Sequence, residues 1–285
     1  MQPNSMRTIR GMMMSLLVMS SRMVLAATAT KYVNASYKLV SPITLHEPVA
    51  IDVLITNIVS DEITCDFGFD GNGAFNFSVL TPDWKIMLPE RLREEIGEGG
   101  VRHLKPGDQY SKRILLNHWF QFESPGAYRI SVAMELPIII GKSAVGHIGP
   151  TDENGHQSEE AVFDLTILSR NEVVLKERCD DLLQKIQEIG ESTTEKLPLV
   201  EELSYIKDPI AIPYLAMLLK SKVFAANGLY ALQRIGTDEA IEAMIPATQS
   251  EDKALAASAK SLLREKMIPM IQDPNIRAKA LTAVQ

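Results

Sequence analysis

The chain has 285 residues, a length that accommodates one large domain or two of medium size. A hydrophobic content of 46% supplies a real core, and 23% charged residues is the share of an ordinary folded protein, not a disordered one. The net charge of −7 excludes a nucleic-acid binder as the default, because neutralising phosphates takes a basic face. Two cysteines exclude a disulfide scaffold and a four-cysteine zinc site.

Residues 1–29 read as a secretory signal peptide. Arg7 and Arg10 precede the apolar run Met12–Met19, and Ala27-Thr28-Ala29 supplies a small-x-small cleavage site. Arg22 interrupts the run, which is in any case too short for a spanning helix. This places the mature chain in the periplasm or outside the cell, with no stable membrane span. Export permits a disulfide. Cys65 sits in a strand-like segment and Cys179 in a helix-like one, so pairing would tie two regions together. Two unpaired, partly buried thiols is the alternative, and the one this reading favours.

Residues 31–168 show a period of two, which predicts an all-β domain. The expected strands are Tyr37–Val40, Val49–Thr56, Ile63–Phe67, Phe75–Leu80, Tyr110–Leu116, Tyr128–Met134 and Val162–Ile167. Turn residues separate them: Ser41-Pro42, Asp70-Gly71-Asn72-Gly73, Thr81-Pro82-Asp83, Pro106-Gly107-Asp108 and Ser124-Pro125-Gly126. About seven short strands at this spacing predict an immunoglobulin-like antiparallel β-sandwich. Tyr128, just after a Pro-Gly corner, reads either as a tyrosine-corner residue or as a large β-former in a half-buried strand. The segment 84–100 is irregular, with Pro89–Ile96 a candidate short helix. Residues 141–160 read as a long loop.

At about residue 170 the period changes to three and four, and helices are expected to the end of the chain, over 170–285. Val173–Ile189 marks one helix, stopped by Gly190. An internal repeat follows. Ala211 and Ala240 lie 29 residues apart, as do Ile212 and Ile241, while Ala226 and Ala256, and Leu232 and Leu262, lie 30 apart. Each unit holds two short helices: Ile210–Lys220 with Val223–Ile235, then Glu239–Gln249 with Lys253–Lys266. Asp208 and Asp238 fall at helix starts, where a carboxylate satisfies free N–H groups, and Gly236 fits a stop. One such pair cannot bury its apolar face, so the units stack into a short α-solenoid.

The text DPIAIPYLAMLLKS, AANGLYALQRIGTDEAIEAMIPATQS and ALAASAKSLL, running from Asp208 to Leu263, resembles HEAT repeats of the short type found in phycobilisome-lyase-like proteins. The whole also resembles exported bacterial proteins that join an immunoglobulin-like sandwich to HEAT-like repeats. The resemblance implies a fold and a surface that binds. It does not imply lyase chemistry, since no bilin-handling motif accompanies it.

Chemistry-bearing patterns are sparse. The five histidines are scattered, and none stands in a metal-ligand spacing, so no metal and no cofactor is expected. His147 and His156 share a segment with Asp152, Glu153, Glu159 and Glu160, which reads as a solvated polar loop. Asp66–Gly73 has the flavour of a calcium loop but no closing Glu, so a β-turn explains it more simply. No nucleophile elbow and no phosphate-cradling glycine loop occurs. Trp119, Phe120 and Phe122 read as core ahead of a recognition patch.

The expected function is therefore non-catalytic protein–protein binding or scaffolding. In a solenoid of this type the second helix of each pair lines the concave side. Its outward residues would be Asn227, Tyr230, Gln233 and Arg234, then Lys253, Lys260 and Arg264, facing a protein partner of unknown identity. The alternative is an enzyme regulator, such as a peptidase inhibitor presenting the loop 141–160.

Overall fold

Alternating apolar residues build the first half of the chain. The structure, a computed structural model, describes residues 31–68, 72–89, 100–140 and 155–285, with side chains resuming at 157. The signal-peptide expectation for 1–29 and the candidate helix at Pro89–Ile96 fall outside the described residues, the latter all but its first.

Among the described residues ten strands form two sheets. They are β1 (Val33–Leu39), β2 (Ile43–Thr44), β3 (Ala50–Asn57), β4 (Ile63–Asp66), β5 (Phe75–Leu80), β6 (Ile86–Met87), β7 (Val101–Leu104), β8 (Gln109–Leu115), β9 (Gly126–Ile140) and β10 (Gly155–Leu168). The smaller sheet has the order β1-β3-β8, all antiparallel. The larger runs β2-β10-β9-β4-β7, with β5 also on β9 and β6 on β5. The long β9 carries two neighbours on one edge: its residues 129–134 pair with β5 and 138–140 with β4. Among the described residues only β2 pairs in parallel, against the end of β10.

The inward residues of both sheets share one core. Ile51, Val53 and Ile114 from the smaller sheet join Ile63, Cys65, Ile130, Met134 and Leu136 from the larger. All seven expected strands are present, and β2, β6 and β7 are additional. The largest correction concerns 141–160. Residues 155–160 belong to β10, whose Gly155 pairs with Ile138, so the two longest strands continue well past the stretch legible as strand. Gln157 explains why β10 persists. Its buried amide accepts the Tyr32 and Val33 N–H groups and donates to the Val33 carbonyl, completing a polar seam that alternation does not reveal.

Seven helices make the second half: α1 (Glu172–Glu188), α2 (Thr193–Ser204), α3 (Ile212–Leu218), α4 (Ala225–Ile235), α5 (Asp238–Met244), α6 (Lys253–Leu262) and α7 (Pro274–Ala283). Short-side-chain caps start several of them. Asn171, Ser192, Thr237, Asp252 and Asp273 each accept a first-turn N–H. Asp208 caps the turn leading into α3 as expected. Asp238 does not cap α5. Thr237 takes that role, and the Asp238 carboxylate instead accepts the Gln272 and Asp273 N–H groups. Gly236 ends α4 at φ 70°, a left-handed conformation that glycine adopts without a Cβ clash.

The helices stack in two rows. The segment leading into α3 packs on α1, then α3 on α5 and α5 on α7, while α2 packs on α4 and α4 on α6. Leu175, Leu203, Leu215, Leu229, Ile241 and Leu263 fill the space between. Residues 31–285 form one compact unit. The described residues therefore combine β-sheets and seven helices in a mixed architecture.

Candidate functional site

The expected binding face of the helices is only partly available. Asn227 is 6% exposed, which corrects its reading as an outward residue. It sits beside Gly228, where α4 comes so close to α3 that an added Cβ would stand 2.7 Å from the Leu215 carbonyl oxygen. Arg234 lies over the Tyr205 ring, 4.4 Å from its centroid, and donates to the Ser204 carbonyl. Arg264 donates to the Val284 carbonyl, 2.6 Å away, and so fixes the end of α7. Both arginines satisfy carbonyls left open at helix ends. Tyr230 is 38% exposed, Gln233 and Lys260 are half-buried, and Lys253 is exposed. Those four remain of the expected surface, and Arg264 is exposed as well while it holds the Val284 carbonyl.

The structure instead gathers polar side chains where the helices meet the sheets. Glu202, at the end of α2, is buried and accepts from Arg113 of β8 at 2.9 Å and from Arg178 of α1. Arg113 also grips Asp52 of β3 through two bonds, which hold the Asp52 carboxyl below its usual range. Asp208 is 0% exposed and takes a fork from Arg170, at 2.6 and 2.9 Å, plus a bond to His46 Nδ1 at 2.8 Å. Burial pushes the Asp208 pKa up, but the bonds from Arg170, His46 and the Ile210 N–H outweigh it and bring it down to about 2. The carboxylate is ionised, so the imidazole donates from Nδ1 and its Nε2 is uncommitted to Asp208. His46 holds φ 78°, a conformation uncommon for a residue with a Cβ. Its carbonyl accepts the Lys207 N–H.

Beside this ion cluster opens a cleft of about 290 Å³. Phe120, Phe122 and Tyr205 form its apolar wall, and Lys207 and Arg234 bring positive charge to its rim beside His46. Phe120 and Phe122 are buried, as their reading as core requires, and Trp119 packs beside them. Two acidic residues also line the cleft. Glu47 accepts the Thr44 N–H at 2.5 Å, and Glu123 sits 3.5 Å from Lys207 in an exposed pair.

A second feature lies on the opposite sort of surface, the outer face of the larger sheet. Trp84, Ile86 and Leu88 are 78%, 70% and 82% exposed. Of the three, Ile86 lies in the two-residue strand β6, Trp84 sits in the turn before it at φ 63°, and Leu88 follows just beyond it. Among the described residues β6 pairs with β5 alone. Asp83 with Lys85, and Arg129 with Asp164, flank the ladder as ion pairs.

Other candidates resolve plainly. Cys65 and Cys179 are free thiols, each inside a different core, and burial pushes both up to about 12. Asp66 accepts the Gly68 N–H, a turn contact, while 69–71 lie outside the described residues. His147, Asp152 and Glu153 lie outside them too. Glu159 pairs with Lys31. Among the described residues no group of three or more His, Cys, Asp or Glu is placed to hold a metal ion, and no helix is long and apolar enough to cross a membrane.

The sequence reading missed His46, Arg170, Tyr205 and the apolar ladder. His46 and Asp208 are 162 residues apart, and no local pattern announces a contact of that range. The ladder did carry a signal, since Trp84-x-Ile86-x-Leu88 alternates directly after a turn.

No family model matches the chain, and no curated protein does. Among solved structures, the native cryo-EM reconstruction of E. coli alpha-2-macroglobulin aligns at TM-score 0.28 and 9% identity, over 90% of this chain and 19% of that one. The crystal structure of the same protein, from domain MG7 to the C-terminus, aligns at TM-score 0.28 and 9% identity, over 88% and 46%. The chain thus spans less than half the length of either, and likeness this low carries no argument about fold or role.

Proposed function

We propose that the chain is an exported, non-catalytic binding protein that docks an extended segment of a protein partner along the Trp84–Leu88 edge. In this reading residues 31–168 are an immunoglobulin-like sandwich, residues 170–285 are a short HEAT-like solenoid, and residues 1–29 direct export. The tyrosine corner supports the first assignment: the Tyr128 hydroxyl donates to the Ser124 carbonyl at 2.8 Å. The two helix rows and the repeat of 29–30 residues support the second.

One observation carries the docking surface: three large apolar side chains, Trp84, Ile86 and Leu88, stand exposed within five residues around the two-residue strand β6, which among the described residues pairs with β5 alone. Exposed apolar patches of this kind mark interaction sites, and a free edge recognises an extended segment through its main chain. The flanking charges are already paired, and the chain is acidic at −7, so an anionic lipid or nucleic-acid surface finds no complement here.

Site-specific photo-crosslinking in the full chain tests this. A crosslinking residue at position 86 should trap a protein partner, and Trp84→Ser with Leu88→Ser should abolish the adduct. A probe at position 230 should trap none. Adducts from 230 with none from 86 would return the site to the helices and overturn the edge reading.

A further inference from the structure

Among the described residues, the cleft beside the ion cluster is the place where an apolar wall, a rim of positive groups and an unusual backbone conformation coincide. Its wall of Phe120, Phe122 and Tyr205 suits one apolar group. Its volume of about 290 Å³ falls at the small end for ligand pockets, which run from about 300 Å³ upward. One residue-sized ligand fits that space, and a long chain does not.

The rim supplies the polar half of the recognition. Two cationic side chains, Lys207 and Arg234, line the cleft together with the His46 imidazole. The two acidic residues there are both engaged, Glu47 with the Thr44 N–H and Glu123 with Lys207. The Lys207–Glu123 pair is exposed and 3.5 Å long, so it gives way readily to a better-placed anion. His46 is different: a fully buried carboxylate orients its ring, at the cost of a left-handed backbone. Second-sphere orientation of this sort is the usual way a polar group is held ready for a ligand.

We propose that the cleft binds a small ligand in which an apolar group the size of one side chain stands next to a carboxylate. The apolar group lies against Phe120, Phe122 and Tyr205, and the carboxylate meets Lys207 at the rim near Arg234 and His46. Two sources share that chemistry: the apolar C-terminal residue of a peptide, and a free aryl-alkyl carboxylic acid. The inference is independent of docking at the sheet edge, because the two sites share no residue.

Isothermal titration of the full chain with N-acetyl-phenylalanine, its amide and 3-phenylpropionate tests it. The acid should bind saturably, and the amide about tenfold more weakly, since a charge-assisted contact is lost. Lys207→Ala should weaken the acid five- to tenfold, by about the same argument, and Lys207→Arg should restore it. Lys207 is exposed, so both variants fold. His46→Asn, which tolerates the left-handed backbone, should also weaken the acid. Preference for N-acetyl-phenylalanine over 3-phenylpropionate assigns the cleft to peptide termini, and the reverse assigns it to free acids. Equal affinity for acid and amide, no effect of Lys207→Ala, or no saturable binding of any probe overturns the proposal. Crosslinking from position 86 reports separately on the sheet edge.

Discussion

The two halves of the molecule reach close packing by opposite means. Between the sheets the gap is filled with large rings: Phe67, Phe75, Phe120, Phe122 and Tyr128 are all buried. Between the helices the filler is small. Ala211, Ala225, Ala231, Ala240, Ala247, Ala259 and Ala280 are buried, with Phe224 the one aromatic in that core. Facing sheets stand about 10 Å apart and need long side chains to meet. Helix axes approach to about 8–10 Å, and a bulky residue at the crossing forces them away. The same hydrophobic content thus folds into two cores that fail differently. One fails by losing volume and the other by gaining it.

The largest effect comes from emptying the sheet core. Phe67 lies within a ring cluster, 4.8 Å from Tyr110 and 6.2 Å from Phe75 by centroids. Phe67→Ala should cost about 3–5 kcal/mol in chemical denaturation, from lost transfer energy and the cavity left behind. A cost under about 1 kcal/mol would mean that the sheets close up, against the rigid spacing argued above.

Where the halves meet, charge replaces packing, and the comparison becomes one of pH. The Asp208 pKa is lowered to about 2, against about 4 for an unfolded aspartate. A depressed carboxylate contributes stability that is fully present above about pH 4 and is lost as the pH falls through about 2. The contribution is about 2 kcal/mol by linkage. Urea unfolding from pH 5 to pH 2 should therefore show a smaller acid loss in Asp208→Asn than in the parent. Parallel curves for the two proteins would remove Asp208 from the account of the junction.

The helical core is tested by adding one methyl group. In an exposed helix Gly→Ala stabilises by up to about 1 kcal/mol. At Gly228 the new Cβ would lie 2.7 Å from the Leu215 carbonyl oxygen and 3.0 Å from Leu218 Cβ. Gly228→Ala should instead destabilise by about 1–2 kcal/mol, because α4 must retreat from α3. A rise in thermal midpoint would show that the helices are not in contact there.

These tests bear on what could be read from sequence. Strand and helix positions were legible because side-chain period is a local property: Phe75–Leu80 matches β5 end to end, and Gly236 closes α4 as expected. Strand ends were not legible where a polar residue turns inward, as Gln157 does in β10. The face of α4 was misread at Asn227, which is buried next to Gly228 where α3 comes close, because a spacing pattern carries no information on how near a second helix comes. Arg234 was read as an outward charge, although a long basic side chain near a helix end reaches back to an open carbonyl; Arg264 makes the same kind of bond and is still exposed as read. The junction was illegible altogether, since it joins β2–β3, β8 and the loops around α2 through pairs up to 162 residues apart.

The smallest effect compares two tyrosines of the sheet half. The Tyr128 hydroxyl donates to the Ser124 carbonyl at 2.8 Å and lies 3.0 Å from the Ser124 hydroxyl. Tyr37, against Phe163 in an edge-on contact, has a buried hydroxyl with no protein hydrogen-bond partner among the described residues. Burial, with Glu159 nearby, raises its pKa to about 12. Removing a bonded hydroxyl costs about 1 kcal/mol, whereas removing an unbonded buried one relieves a desolvation cost. Tyr128→Phe should therefore lower stability by about 1 kcal/mol and Tyr37→Phe should leave it unchanged or raise it slightly. Thermal unfolding of the two variants side by side decides the matter, because each loses the same single oxygen. Equal losses would place a hydrogen bond at Tyr37 and cancel the contrast. A neutral Tyr128→Phe would show that the corner is held by its packed ring, with the hydroxyl bond a passenger.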